Sequence, residues 1–330
     1  MSLRIGILGT ARIARSFCEG LRGSEKVEVA AIASRRQDSA DAFAREMGIG
    51  KAYASYDALL ADDTIAAIYN PLPHGLHRQW CVRAASARKH VLCEKPFGLN
   101  ADDVLAIQAA ARANGVHIVE AYPYLAQPQT QKLRALVREG AIGKLRLIVG
   151  TFSFNLTKPD DIRLDPALGA GALYDVGCYV VSFTRVLAGA RPVRVSAAAD
   201  FYARGGDRTL AATLEHGDGL LAQISCSFAT QHTRYALIMG EDGVIETNFW
   251  NHTNAKFPAL LRIKRGNLPH EWETLTAPET NGFRAEAESF ADLIAGGEWS
   301  GATAQESLDI AQALDGIRES AEKRAPVQLP

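Results

Sequence analysis

The chain has 330 residues, 47% of them hydrophobic and 22% charged, the composition of a globular protein with room for two domains. Lys and Arg (36) balance Asp and Glu (37) to a net charge of −1, and no basic stripe interleaved with aromatics occurs, so no nucleic-acid partner is expected. No stretch is read as the ~20 apolar residues of a membrane helix, and five scattered cysteines without C-x-x-C spacing point to a cytoplasmic protein lacking a disulfide framework.

The first third alternates short apolar runs with helical patterns. Strands are predicted at Ile5–Leu8, Val27–Ala33, Ile65–Tyr69, His90–Cys93 and Val116–Val119. Helices are predicted between them, near Ile13–Leu21, Ser39–Met47, Leu76–Ala87 and Ala101–Ala113. Strands apolar on both faces, each followed by a helix, form a parallel sheet covered on both sides. The fold class is therefore α/β, with an N-terminal Rossmann domain, a doubly wound parallel sheet, over residues 1–122.

After residue 122 the pattern changes. A helix at Gln129–Glu139 precedes a long strand, Leu145–Phe154, then a glycine-rich loop and a helix over Ala172–Leu187. Strands follow at Val193–Tyr202, Leu210–Glu215, Leu220–Phe228, Tyr235–Met239, Val244–Thr247 and Leu260–Lys264, with tight turns at His216–Gly219 and Gly240–Gly243. Successive strands joined by tight turns make a large, mostly antiparallel open sheet. Two helices, Phe283–Ala295 and Gln305–Arg324, end a C-terminal α+β domain of residues 123–330 that would bind substrate and carry oligomerisation.

The first strand runs into Gly9-Thr10-Ala11-Arg12-Ile13-Ala14 and a helix. This fits G-x-G-x-x-G/A with Ala11 in the second glycine's place, a turn that brings backbone N–H groups to a pyrophosphate. The second strand ends in Ser34-Arg35-Arg36 and carries no acidic residue there. A guanidinium pairs with a ribose 2′-phosphate that a carboxylate would repel, so NADP is favoured over NAD; solvated surface arginines are the bland alternative.

Lys95, in Cys93-Glu94-Lys95-Pro96, stands at the carboxyl end of a buried strand, where open α/β sheets bind ligands, and Pro96 restricts its backbone. The segment Asn70-Pro71-Leu72-Pro73-His74-Gly75-Leu76-His77 follows the third strand. His74 and His77 lack a third ligand at useful spacing, so no metal is expected. Asp175 and Tyr179, four apart on a predicted helix, share a face; a packing role for both is the competing reading.

With these residues assembled, the chain resembles the glucose–fructose oxidoreductase/inositol dehydrogenase (Gfo/Idh/MocA) family. The resemblance rests on Gly9–Ala14, Asn70 to His77, Glu94-Lys95-Pro96, Gly140-Ala-Ile-Gly143-Lys, Ile162-Arg163-Leu164-Asp165 and Gly171 to Tyr179. It implies catalytic roles for Lys95, Tyr179 and Asp175. It implies cofactor contacts from Gly9, Thr10, Ala11, Arg12, Ile13, Ser34, Arg35, Arg36, Asn70, Leu72, His77, Glu94 and Lys95. Tyr122, Phe152 and Arg163 join Asp175 and Tyr179 as substrate candidates. The implied activity is hydride transfer between a nicotinamide and the CH–OH or carbonyl carbon of a sugar-like molecule. Tyr179 in place of histidine is similar to the glucose–fructose oxidoreductase, dihydrodiol dehydrogenase and NADP-dependent xylose dehydrogenase branches. Association through the outer face of the second domain's sheet, as a homodimer or homotetramer, is implied too. An enzyme with permanently held NADP and a non-catalytic NAD(P)-sensing regulator are the alternatives on the same fold.

Overall fold

The computed structural model describes residues 2–266 and 271–330. Two compact units emerge, the first made of residues 1–98, 102–126 and 281–304, the second of 99–101, 127–280 and 305–330.

The first unit holds a six-stranded parallel sheet, with β1 (Leu3–Leu8), β2 (Val27–Ala33), β3 (Lys51–Tyr53), β4 (Ala67–Asn70), β5 (His90–Glu94) and β6 (Ile118–Ala121) in the order 3-2-1-4-5-6. Helices α1 (Arg12–Gly20), α2 (Gln37–Met47), α3 (Tyr56–Leu60), α4 (His77–Ser86) and α5 (Ala101–Asn114) connect the strands. The strand order reverses between β1 and β4, the place where doubly wound sheets bind nucleotides. Ile5, Ile7, Ile32, Ile68, Val91 and Leu92 are all fully buried, as strands covered on both faces require.

Two short elements of this unit were not among the predicted ones. Strand β3 is three half-buried residues at the sheet edge. Helix α3 is five residues long and announced mainly by its cap, where the Ser55 side chain accepts from the Ala58 N–H at 3.1 Å.

The expected second domain, 123–330, does not stay in one unit. Its segment Asn281–Ala304 joins the first unit. The cause is apolar burial: Phe283, Ala287 and Phe290 enter the same core as Ile5, Phe17, Val27 and Phe43.

The second unit contains helix α6 (Pro128–Arg138), strand β7 (Leu145–Asn155), helix α7 (Cys178–Ala188) and strands β8 (Arg194–Phe201), β9 (Asp207–Glu215), β10 (Leu221–Ser227), β11 (Ala229–Gly240), β12 (Gly243–Thr247), β13 (Leu261–Arg265) and β14 (Glu273–Thr274). With β15 (Val327–Gln328) they form a nine-stranded sheet ordered 14-13-12-11-7-10-9-8-15. Within this sheet only the β7–β10 pair is parallel among the described strands. On one face Ile148, Ala222 and Ile238 are buried; on the other Leu147, Val149, Leu237 and Met239 remain half-buried and Leu221 is exposed.

The segment Pro166–Ala188 is long and apolar enough to be compared with a membrane span, which corrects the expectation that no stretch is. Most of its apolar stretch is buried inside the protein, as a core segment should be. The five cysteines are buried and form no disulfide.

Candidate functional site

Each unit is built from its own residues upward. In the first, Gly9 ends β1 with φ +86° and its N–H donates to Ala33 O at 2.7 Å. A side chain there would press on Leu72 Cδ2 at 3.0 Å and meet the Tyr56 hydroxyl at 3.4 Å. The turn thus needs glycine for its backbone and for the approach of Leu72. Helix α1 then begins at Arg12 with no side-chain cap from Ala11 and no acidic residue in its first turn. Its uncompensated N-terminal dipole, reached over small residues, fits a pyrophosphate.

At the end of β2 the two arginines differ. Arg36 forms an exposed ion pair with Asp38, whose carboxyl the Arg36 hydrogen bond holds down at about 2. Arg35 is felt instead at Tyr56, where burial raises the phenol pKa and the Arg35 charge opposes it. The Tyr56 hydroxyl borders Gly9, so the Arg35 charge acts close to the glycine turn.

Three residues expected at the cofactor turn inward. Asn70 is fully buried; its amide lies 3.6 Å from the sulfurs of Cys81 and Cys93, and its carbonyl accepts from Leu72 N at 3.3 Å. His77 is likewise fully buried, its ring nitrogens 2.8 Å from Pro96 O and 2.7 Å from Leu72 O. Burial, with the Lys95 charge adding to it, pulls the His77 pKa down to about 4, against two carbonyls that favour the protonated ring. Neither side chain reaches solvent. Both instead brace the Leu72 loop, and His77 ties it to the loop after Lys95. Glu94 is 7% exposed and accepts from the Tyr69 hydroxyl at 2.6 Å. Lys95, 8% exposed at the end of β5, precedes Pro96 through a cis peptide bond.

Tyr122, expected to touch substrate, is completely buried and packs edge-on against Tyr124, 6.0 Å between ring centres. It is a core residue of the first unit, because the chain at 122 has not yet left that unit's interior.

In the second unit the predicted helix 172–187 is not uniform. Leu173–Gly177 form a π-turn before α7 begins at Cys178. Asp175 lies within this wide turn, so the four-residue spacing to Tyr179 does not stack the two as a regular helix would. Gly177 there comes close to Cys226 on β10, where an added Cβ would stand 3.0 Å from its sulfur. Asp207 holds the entrance, accepting from Leu173 N at 2.8 Å; burial lifts its pKa to about 6.

Arg163, read as a substrate contact, is an ion-pair partner. Its Nε donates to Asp175 Oδ2 at 2.6 Å and its Nη1 to Asp161 at 3.1 Å. The Asp175 charge is the main cause of a raised Arg163 pKa. Phe152 does join Tyr179, ring centres 5.4 Å apart. Around them stand residues that sequence reasoning missed: Arg234, Phe249, Trp250 and Asn251. The Asn251 amide donates to the Tyr179 hydroxyl at 3.0 Å, and the Arg234 guanidinium lies over the Tyr179 ring at 4.4 Å. The run Phe249-Trp250-Asn251-His252 after a strand was the signal available for part of this set. Among the described residues no group of three or more His, Cys, Asp or Glu is arranged to hold a metal ion.

A strand order of 3-2-1-4-5-6 with a glycine turn at its switch point defines a nucleotide-binding α/β protein. Residues 3–122 match the model of the Gfo/Idh/MocA oxidoreductase family, NAD-binding Rossmann fold, and residues 130–246 match its C-terminal domain. The chain belongs to the Gfo/Idh/MocA family of oxidoreductases. It is 39% identical to a D-xylose 1-dehydrogenase (NADP⁺) of Haloferax volcanii, over 99% of this chain and all of that protein. Among solved structures it is similar to a 3-ketoreductase of Actinomadura kijaniata in complex with NADP and TDP-benzene, at TM-score 0.89 and 30% identity, covering 97% of this chain and 98% of the other. It is also similar to an aldose–aldose oxidoreductase of Caulobacter crescentus complexed with glycerol, at TM-score 0.90 and 25% identity over the full length of both chains.

Proposed function

We propose that this protein is a cytoplasmic, NADP-dependent oxidoreductase that exchanges a hydride with the CH–OH or carbonyl carbon of a sugar-like molecule, using Lys95 and Tyr179 as its acid/base pair. The observation that carries the reading is the switch-point cradle of Gly9, the uncapped start of α1 and Arg35, in a chain whose NADP⁺-named relative matches it end to end. The backbone from Gly9 to Ile13 would hold the pyrophosphate, and Ser34 and Arg35 the 2′-phosphate.

When bound, the nicotinamide supplies the hydride acceptor or donor. In alcohol oxidation Tyr179 takes the hydroxyl proton as the hydride leaves the same carbon, and the carbonyl forms; reduction runs the proton back. A tyrosine ordinarily titrates near pH ~10, so a cation must favour its ionised form. We assign to Lys95 part of that task and the orientation of the substrate oxygen. Asp175 keeps its place through Arg163. The ketoreductase has also been solved with a lysine replaced by alanine or by glutamate, and with a tyrosine replaced by phenylalanine. For assembly, the Leu147–Val149–Leu221–Leu237–Met239 face of the large sheet is the surface through which we propose a homo-oligomer forms.

The test is a fluorescence titration with NADPH and NADH, followed by a panel of aldoses, keto sugars and dihydrodiols. Tight NADPH binding with turnover on a panel member supports the reading. Binding of neither cofactor overturns it, as does near-normal turnover by Lys95→Met. The likeness to an aldose–aldose oxidoreductase favours a second reading, with NADP retained while two sugars exchange a hydride. NADPH that copurifies and is never released during turnover would distinguish it.

A further inference from the structure

Arg234, on β11, is 6% exposed, and its guanidinium stands over three rings, 4.4 Å from the centre of Tyr179, 4.6 Å from Phe152 and 4.9 Å from Phe249. Its Nη2 donates to Asn251 Oδ1 at 3.0 Å, and Asn251 Nδ2 donates to the Tyr179 hydroxyl, also at 3.0 Å. A guanidinium offers donors only, so it settles which end of the Asn251 amide is the carbonyl. The amide N–H is thereby committed to Tyr179. The phenol oxygen accepts from Asn251, and its own O–H proton is directed elsewhere.

We propose that Arg234 and Asn251 are positioning residues that aim the Tyr179 proton and lower its proton affinity from within the second unit. The inference rests on the acid/base role given to Tyr179 above. On loss of the phenolic proton, the Asn251 N–H meets a full negative charge and becomes a charge-assisted donor. A nearby opposite charge lowers a pKa, and the Arg234 guanidinium carries such a charge 4.4 Å from the centre of the Tyr179 ring. Burial of Tyr179, 5% exposed, works the other way and makes such help necessary.

The remaining titratable neighbours leave Arg234 to act. His232 stacks on Trp250 and His252 packs against Phe257; burial first, then the Arg234 charge, holds both below the usual imidazole range. Both are thereby biased toward the neutral ring. Asp175, in the π-turn before Tyr179, is ion-paired with Arg163.

The experiment is a ¹³Cζ-tyrosine NMR titration of the full chain without cofactor, with the Tyr179 resonance among nine assigned by Tyr179→Phe. In the native protein Tyr179 is expected to titrate below the ordinary value of ~10, and Asn251→Ala and Arg234→Met to raise it by about one unit each. Arg234→Lys, which keeps the charge, recovers most of the shift. In turnover, the acidic limb of the kcat–pH profile for alcohol oxidation moves upward with the titration. If Arg234→Met does not fold, Asn251→Ala and Arg234→Lys decide the matter. A Tyr179 titration unmoved by Asn251→Ala overturns the proposal. Loss of activity in Tyr179→Phe beside an unmoved titration refutes this inference alone. Undiminished activity in Tyr179→Phe refutes the acid/base reading on which it rests.

Discussion

Arg163 donates to Asp175 at 2.6 Å, from a short helical turn twelve residues earlier in the chain. The pair joins a loop to the π-turn that precedes Tyr179, so it positions the turn as well as neutralising a charge. Asp175 is almost buried while Arg163 keeps about a third of its side chain exposed, which places the pair between surface and core. Removing one partner should therefore cost less than the ~3–5 kcal/mol of a fully buried pair. We expect Arg163→Met and Asp175→Asn each to lower stability by about 1–2 kcal/mol, with a double-mutant coupling near ~1 kcal/mol. Urea denaturation of the four proteins measures this. A coupling indistinguishable from zero would mean that the contact holds nothing in place.

Asp207 gives a pH dependence of definite sign. Burial raises its folded pKa from the ordinary 3.8 to about 6, so between these values the folded chain binds the proton and the unfolded chain releases it. The stability it contributes is complete below pH ~4 and is lost as pH rises through ~6. A shift of this size corresponds to about 3 kcal/mol. Asp207→Asn keeps an oxygen for the Leu173 N–H and never ionises. The variant should match the native protein at pH 4 and exceed it at pH 7.5. Equal stabilities at both pH values would show that Asp207 is solvated enough to escape the burial penalty.

The outer face of the large sheet makes a third expectation. Leu147 pairs with Leu221 on one side and Met239 on the other, and Val149 pairs with Leu237, so their side chains form one apolar patch. A patch of this kind is covered by a partner in most proteins that keep it. Val149→Lys puts a charge at its centre and should weaken self-association at least about tenfold. Light scattering across a dilution series reads this directly. A native chain that is monomeric at every concentration would remove the homo-oligomer from the proposal.

Sequence patterns reached the parts of the site where backbone and chemistry coincide. Gly9 was legible because a positive φ at a strand end admits few residues, and Lys95 because it ends a buried strand. Arg234 and Asn251 were not. Arg234 follows five exposed residues of β11, whose first half shows no apolar alternation and pairs irregularly with β7. Asn251 lies 72 residues from Tyr179, and only the sheet's return brings them together. His77 and Asn70 are a different case. Asn70 ends β4 and His77 begins α4, and their side chains satisfy the backbone of the Leu72 loop between them, which composition alone does not reveal. The π-turn at Leu173–Gly177 escaped because an apolar periodicity does not separate a π-turn from an α-helix, and its close approach to β10 at Gly177 and Cys226 joins residues far apart in the chain.

The two arginines after β2 allow the proposed 2′-phosphate contact to be tested against a surface ion pair. Arg36 is already engaged with Asp38, and both side chains are well exposed. Arg35 is the one whose charge reaches the Tyr56 hydroxyl beside Gly9. A guanidinium bound to a phosphate through charge-assisted hydrogen bonds is worth about 1.5–3 kcal/mol, or roughly 10–100-fold in affinity. Arg35→Ala should weaken NADPH binding by that factor and leave NADH binding nearly unchanged, because NADH lacks the 2′-phosphate. Arg36→Ala should weaken NADPH binding by less than about threefold, the typical worth of an exposed charge. Parallel fluorescence titrations of both variants with both cofactors make the comparison. Equal losses for NADPH and NADH in Arg35→Ala would mean that the residue supports the fold of the β2 turn, and that selection for the 2′-phosphate resides elsewhere.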